Sequence, residues 1–182
     1  VDGMFSQSNF GVVTKMGFWL MPQPEAFTSG TVILAKHADL VPFVDIMNYL
    51  ENAQVFTGMT FLGSPLEGTD YPGDIPKPPS PELATLLATP GGPSPQQLDA
   101  YCKKHDVGLW SGTFRFYGPE EVIRAQWNYC KKRFSAIEGA RFIDGEVLQM
   151  PPTPAQMEKH QKVLFGVPNL EIFSLLSRTE RS

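Results

Sequence analysis

Between Leu109 and Phe134 the chain changes hydrophobic period once, and that change restricts the fold it can adopt. From Leu109 to Tyr117, residues Trp110, Gly112, Phe114 and Phe116 share one face while Ser111, Thr113 and Arg115 share the other, the period of two of a strand. The spacing predicts that the aromatic face is core and that the polar one meets solvent or a partner. Gly118-Pro119-Glu120-Glu121 then makes a helix start, and Ile123, Trp127, Cys130 and Phe134 follow at helical spacing. Lys131, Lys132 and Arg133 near the end of that helix complement the negative pole of its dipole, which accounts for the basic run without nucleic acid.

The flanking segments repeat the pattern. Thr31 to Ala35 reads as a strand, and Asp39 is placed to cap a helix whose Leu40, Phe43, Val44, Met47 and Leu50 form an apolar stripe, with Pro42 tolerated in the first turn. Gly58 to Leu62 reads as a short strand. Ser94-Pro95-Gln96-Gln97 opens a helix to about His105, ended before Gly108. Arg141 to Ile143 reads as a further strand, Pro151, Pro152 and Pro154 as a loop before a helix through Phe165, and Leu170 to Leu176 as a last helix. Strands and helices in this order predict an α+β fold, an antiparallel sheet with helices packed on one face. Nine of the 17 prolines lie between Pro65 and Pro95, so residues 64–95 read as a proline-rich insertion. Only Pro81 to Ala88, capped by Ser80, has the makings of a helix there.

Composition narrows the function. At 182 residues with 42% hydrophobic content the chain has enough apolar surface for a real core. A net charge of -4 argues against nucleic acid or an anionic membrane as the main partner. No apolar run reaches the roughly 20 residues of a membrane-spanning helix, and an intracellular protein is expected, cytoplasmic or, alternatively, peroxisomal. Cys102 and Cys130 are far apart and read as free thiols on helices.

Few residues suggest catalysis by themselves. Ser6 and Ser8 lie outside a GxSxG elbow and have no assignable histidine base. His37, His105 and His160 are isolated, so no metal site is expected. Glu67, Asp70, Tyr71 and Asp74 do not match a calcium loop and read as a solvated acidic segment. Trp110, Phe114, Phe116 and Trp127 read as core, with an aromatic substrate cavity as the alternative. The remaining distinctive stretch is Phe5 to Gly17, where Ser6, Ser8 and Asn9 lead through Gly11 into Val12-Val13. Small polar residues, a glycine and a β-branched pair let a backbone approach a bulky planar ligand and continue as a buried strand, here expected to run to Leu20.

These residues also carry a family resemblance. Asp2-Gly3-Met4-Phe5-Ser6-Gln7-Ser8-Asn9-Phe10-Gly11-Val12-Val13-Thr14-Lys15-Met16-Gly17-Phe18-Trp19-Leu20-Met21-Pro22 resembles the end of the flavin domain in the vanillyl-alcohol oxidase and 4-cresol dehydrogenase family. Gly108-Leu109-Trp110, Tyr117-Gly118-Pro119 and Phe134-Ser135-Ala136-Ile137-Glu138-Gly139-Ala140 resemble its cap domain in the same order; residues 64–95 do not resemble the family closely. The resemblance implies two parts: residues 1–24, the C-terminal end of an FAD-binding domain with a terminal strand, and residues 25–182, part of a substrate cap.

It further implies a fragment of an FAD-dependent oxidoreductase that takes hydride from the benzylic carbon of a para-substituted phenol, through a quinone-methide-like intermediate. Ser6, Ser8, Asn9, Gly11, Val12 and Val13 match the positions that line FAD. The family's phenolate-binding tyrosines and arginine and its covalent flavin-linking residue match no position here, so no catalytic residue is assigned and the chain alone is expected to be inactive. The implied partners are the remainder of the FAD domain and cap, an aromatic small-molecule substrate, and further copies of the chain covering exposed sheet edges and apolar faces. A non-catalytic cap-type module for assembly or partner binding is the alternative.

Overall fold

The computed structural model describes residues 11–17, 20, 22–64, 66, 80–159 and 162–165. The sheet is built around its longest-paired strand, β1 (Ala26–Leu34), which runs antiparallel to β3 (Trp110–Gly118) from Ala26↔Gly118 to Leu34↔Trp110. On the other edge of β1 lie β4 (Arg141–Asp144) and then β5 (Leu148–Gln149), while β2 (Phe61–Gly63) pairs with the outer edge of β3. The order is thus β2-β3-β1-β4, with β5 paired to β1 as well, and every pairing is antiparallel.

Helices α1 (Leu40–Asn52) and α4 (Glu120–Phe134) cover the face formed by Ala26, Gly30, Val32, Leu34, Gly112, Phe114 and Phe116. Two glycines let them come close. A Cβ on Gly30 would overlap the Trp127 indole of α4, and one on Gly112 would overlap the Phe43 ring of α1. The core between them is aromatic. Phe114 lies 5.2 Å from Phe134 and 4.8 Å from Phe56, both stacked, and Phe43 lies 5.1 Å from Phe134. Trp110, Phe114, Phe116 and Trp127 therefore belong to this core or pack against it.

Helices α2 (Pro81–Leu87), α3 (Pro95–His105) and α5 (Pro154–Lys159) complete the described helices of α type. The expected caps are present. Leu83 N donates to Ser80 Oγ, and in α3 Ser94 and Gln97 bond each other's backbone reciprocally, with Gln97 N to Ser94 Oγ at 3.3 Å and Ser94 N to Gln97 Oε1 at 2.8 Å. Replacing Ser94 by alanine is expected to lower folding stability by about 1 kcal/mol, measured by denaturant unfolding. Asp39 caps differently from expectation. It closes a short 3-10 turn, His37–Asp39, by accepting from Lys36 N at 3.1 Å, and makes no side-chain bond to the first turn of α1.

Cys102 and Cys130 are free and buried on α3 and α4, and burial pushes the Cys130 thiol up to about 12. The remaining strand expectations shift in extent. β1 starts at Ala26 rather than Thr31, and β2 is confined to Phe61–Gly63. Ahead of β2 the chain still follows β3, with Gly58 N donating to Arg115 O at 3.0 Å and Thr57 Oγ1 accepting from Tyr117 N at 2.7 Å. The helix expected through Phe165 is α5 followed by a 3-10 turn, Lys162–Phe165. The helix expected over Leu170 to Leu176 lies outside the described residues.

Candidate functional site

The expected buried strand from Val12 to Leu20 is not formed over the described residues of that stretch. Residues 11–17 have no regular secondary structure and are exposed, Val12 at 90% and Val13 at 52%. A strand is held by a ladder of hydrogen bonds to a neighbour, and no described strand pairs with this segment. Of the six residues expected to line a flavin, Gly11, Val12 and Val13 stand open to solvent in this irregular stretch, whereas Ser6, Ser8 and Asn9 lie outside the described residues. Exposure leaves Gly11, Val12 and Val13 uncovered by any described element, and no described pocket is lined by them.

The second face of the sheet departs most from the sequence reading. Ser111, Thr113 and Arg115 were assigned to solvent or a partner, yet Thr113 and Arg115 are buried, Arg115 being only 7% exposed. Cross-strand neighbours explain this. Thr31 and Thr113, directly opposed in the ladder, join hydroxyls at 3.1 Å. Phe61 on β2 lies against Arg115, whose Cζ sits 4.7 Å from the ring centroid. Phe27 lies 4.9 Å from Tyr117 and 6.0 Å from Phe165, and the Tyr117 hydroxyl donates to Leu164 O at 2.9 Å. The 3-10 turn at 162–165 thus covers one end of this face. Burial lowers the pKa of Arg115 and raises that of Tyr117, each opposed by the attraction between the guanidinium and the phenolate form. The only sequence signal for such a face was an arginine set between Phe114 and Phe116 within a strand.

Among the described residues there is no cluster of side chains able to hold a metal ion, and no helix is long and apolar enough to cross a membrane. His105 bonds Glu82 across α2 and α3 at 3.0 Å, and His37 lies 6.0 Å from the Trp110 ring. His160 and the acidic group Glu67, Asp70, Tyr71 and Asp74 lie outside the described residues.

No family model matches the chain. Its sequence is 30% identical over 178 residues, 96% of the chain, to the 4-cresol dehydrogenase [hydroxylating] flavoprotein subunit of Pseudomonas putida. The chain resembles the 4-cresol dehydrogenase family. Among solved structures, p-cresol methylhydroxylase with substrate bound aligns over 96% of the chain at 27% identity with a TM-score of 0.59. The 4-ethylphenol oxidase of Gulosibacter chungangensis, in its isoeugenol complex, aligns over 97% at 21% identity with a TM-score of 0.64, a likeness of fold. The chain spans about a third of these relatives, 32% of the Pseudomonas subunit and 33% of the Gulosibacter oxidase. The antiparallel sheet with helices, expected from residue periods, is therefore also the fold of 4-cresol dehydrogenase relatives over this stretch.

Proposed function

We propose that this chain is one third of an FAD-dependent oxidoreductase that oxidises para-substituted phenols by hydride transfer to the flavin. The observation that carries the reading is the 30% identity to a flavoprotein subunit over nearly the whole chain. In this reading residues 1–24 end an FAD-binding domain and residues 25–182, beginning just ahead of β1 (Ala26–Leu34), form part of a substrate cap. Bound FAD would supply the chemistry as hydride acceptor. Ser6, Ser8, Asn9, Gly11, Val12 and Val13 would line one wall of its site, excluding water along their length and presenting backbone to the ring. The sheet would act as a rigid support for the substrate side, positioning rather than reacting. Further copies of the chain would cover the outer strand β4, where Ile143 is exposed.

The test is purification of the intact gene product. A flavin absorbance spectrum that bleaches when a 4-alkylphenol is added without oxygen is the expected result, with the 182-residue chain alone turning over no phenol. An intact protein free of flavin would overturn the reading and leave the non-catalytic module in its place.

A further inference from the structure

At the end of the sheet where β1 stops and β4 begins, three pieces of chain meet around an open cleft of about 510 Å³. Its walls are the residues that follow β1, the last turns of α3 and the residues that lead into β4. Ala35, Ala100, Cys102 and Val107 give it an apolar lining. Burial raises the pKa of the Cys102 thiol, which therefore counts here as a small apolar group rather than an anion. The cleft is not filled from within. A Cβ added to Gly139, which also lines it, would meet no atom within 4 Å.

The charged groups around the cleft are not balanced. Lys36, Lys103 and Arg141 line it, against two carboxylates, Asp99 and Asp106. Both carboxylates are engaged: Asp99 Oδ1 accepts from His37 N at 2.7 Å, and Asp106 Oδ1 accepts from Arg141 Nη1 at 3.0 Å. Lys36 meets Glu138 at 3.4 Å, and with Glu138 93% exposed that pair is weak. Lys103 is left over. Among the described residues no ion pair engages its ammonium. A cation entering the cleft meets an excess of positive charge, whereas an anion finds a free ammonium beside apolar surface.

We propose that this cleft is a binding site for a small monocarboxylate with an apolar body, its charge held by Lys103 and its body laid against Ala100 and Val107. One uncommitted ammonium matches one negative charge, and the apolar lining leaves a ligand that is polar throughout, such as inorganic phosphate, without a match. The site lies apart from the residues assigned to the flavin and does not rest on that reading.

The experiment is calorimetric titration of the intact gene product with hexanoate and with its neutral analogue hexanamide at fixed ionic strength, repeated for Lys103→Gln and Ala100→Trp. Both positions are exposed on α3, so neither change touches the core. Hexanoate is expected to bind about fivefold more tightly than hexanamide, and Lys103→Gln to remove that preference by weakening hexanoate about fivefold. Ala100→Trp, which fills the cleft and leaves its charges in place, should abolish binding of both ligands. Absence of hexanoate binding by the unaltered protein, equal affinity for the two ligands, or hexanoate affinity unchanged in either variant overturns the proposal. Protein purified without flavin should bind hexanoate as well as flavin-loaded protein does, so failure here and failure of phenol oxidation are separate results.

Discussion

Replacing Phe114 by alanine is expected to cost about 3–5 kcal/mol of folding stability, the largest effect of any single truncation in this core. Phe114 is fully buried, and it touches more of the aromatic cluster than any neighbour. Its ring stacks on Phe56 and Phe134 and meets Phe43 and Trp127 at 6.3 and 6.5 Å. Those rings are anchored on three separate elements, so they cannot collapse together into the space left behind, and the cavity term adds to the lost transfer energy. Urea unfolding followed by tryptophan fluorescence would measure the loss. A cost below about 1 kcal/mol would show that the cluster relaxes as a liquid rather than holding its shape.

The second large effect runs the other way, through excess volume. Gly30→Ala is expected to destabilise by about 1–3 kcal/mol, because the new methyl group overlaps the Trp127 indole that lies over β1. The ring has little freedom to retreat, since its Nε1 donates to Asp144 Oδ1 at 2.6 Å. Gly63→Ala on β2 is the matched control. Nothing lies within 4 Å of the added carbon there, so that change should stay within about 0.5 kcal/mol. Thermal melts of the two variants side by side would separate a steric effect from a general intolerance of alanine for glycine in this sheet. Equal losses in both would remove the close approach of α4 to β1 as the cause.

Local chemistry made much of this fold legible. Gly118-Pro119-Glu120-Glu121 marks the start of α4 because proline and acidic residues suit the first turn, and Ser94 with Gln97 marks α3 because the two side chains satisfy backbone groups within reach. Features set by distant partners were harder to read. β1 was expected only from Thr31 because Ala26 to Ser29 do not alternate cleanly; both faces of that end are buried, one under α4 and the other under Phe165, far along the chain. Arg115 was assigned to solvent or a partner on the same alternation, and its cover comes from Phe61, outside the strand that defined the alternation. Val12 and Val13 show the opposite failure. β-branched residues favour strands only where a neighbouring strand offers a ladder, and intrinsic preference alone leaves them bare.

The position of β1 at the centre of the sheet has a consequence for how the chain is made. β1 finds its partners only at Trp110–Gly118 and at Arg141 to Gln149, so among the described strands the earliest in the chain waits longest to be paired. At about 5–20 residues per second, synthesis leaves both edges of β1 open for several seconds. High contact order of this kind makes folding slow and exposes the nascent chain to pairing with other chains. Chaperone capture of the growing polypeptide is therefore expected to peak before β3 emerges and to fall once Trp110–Gly118 has cleared the exit tunnel.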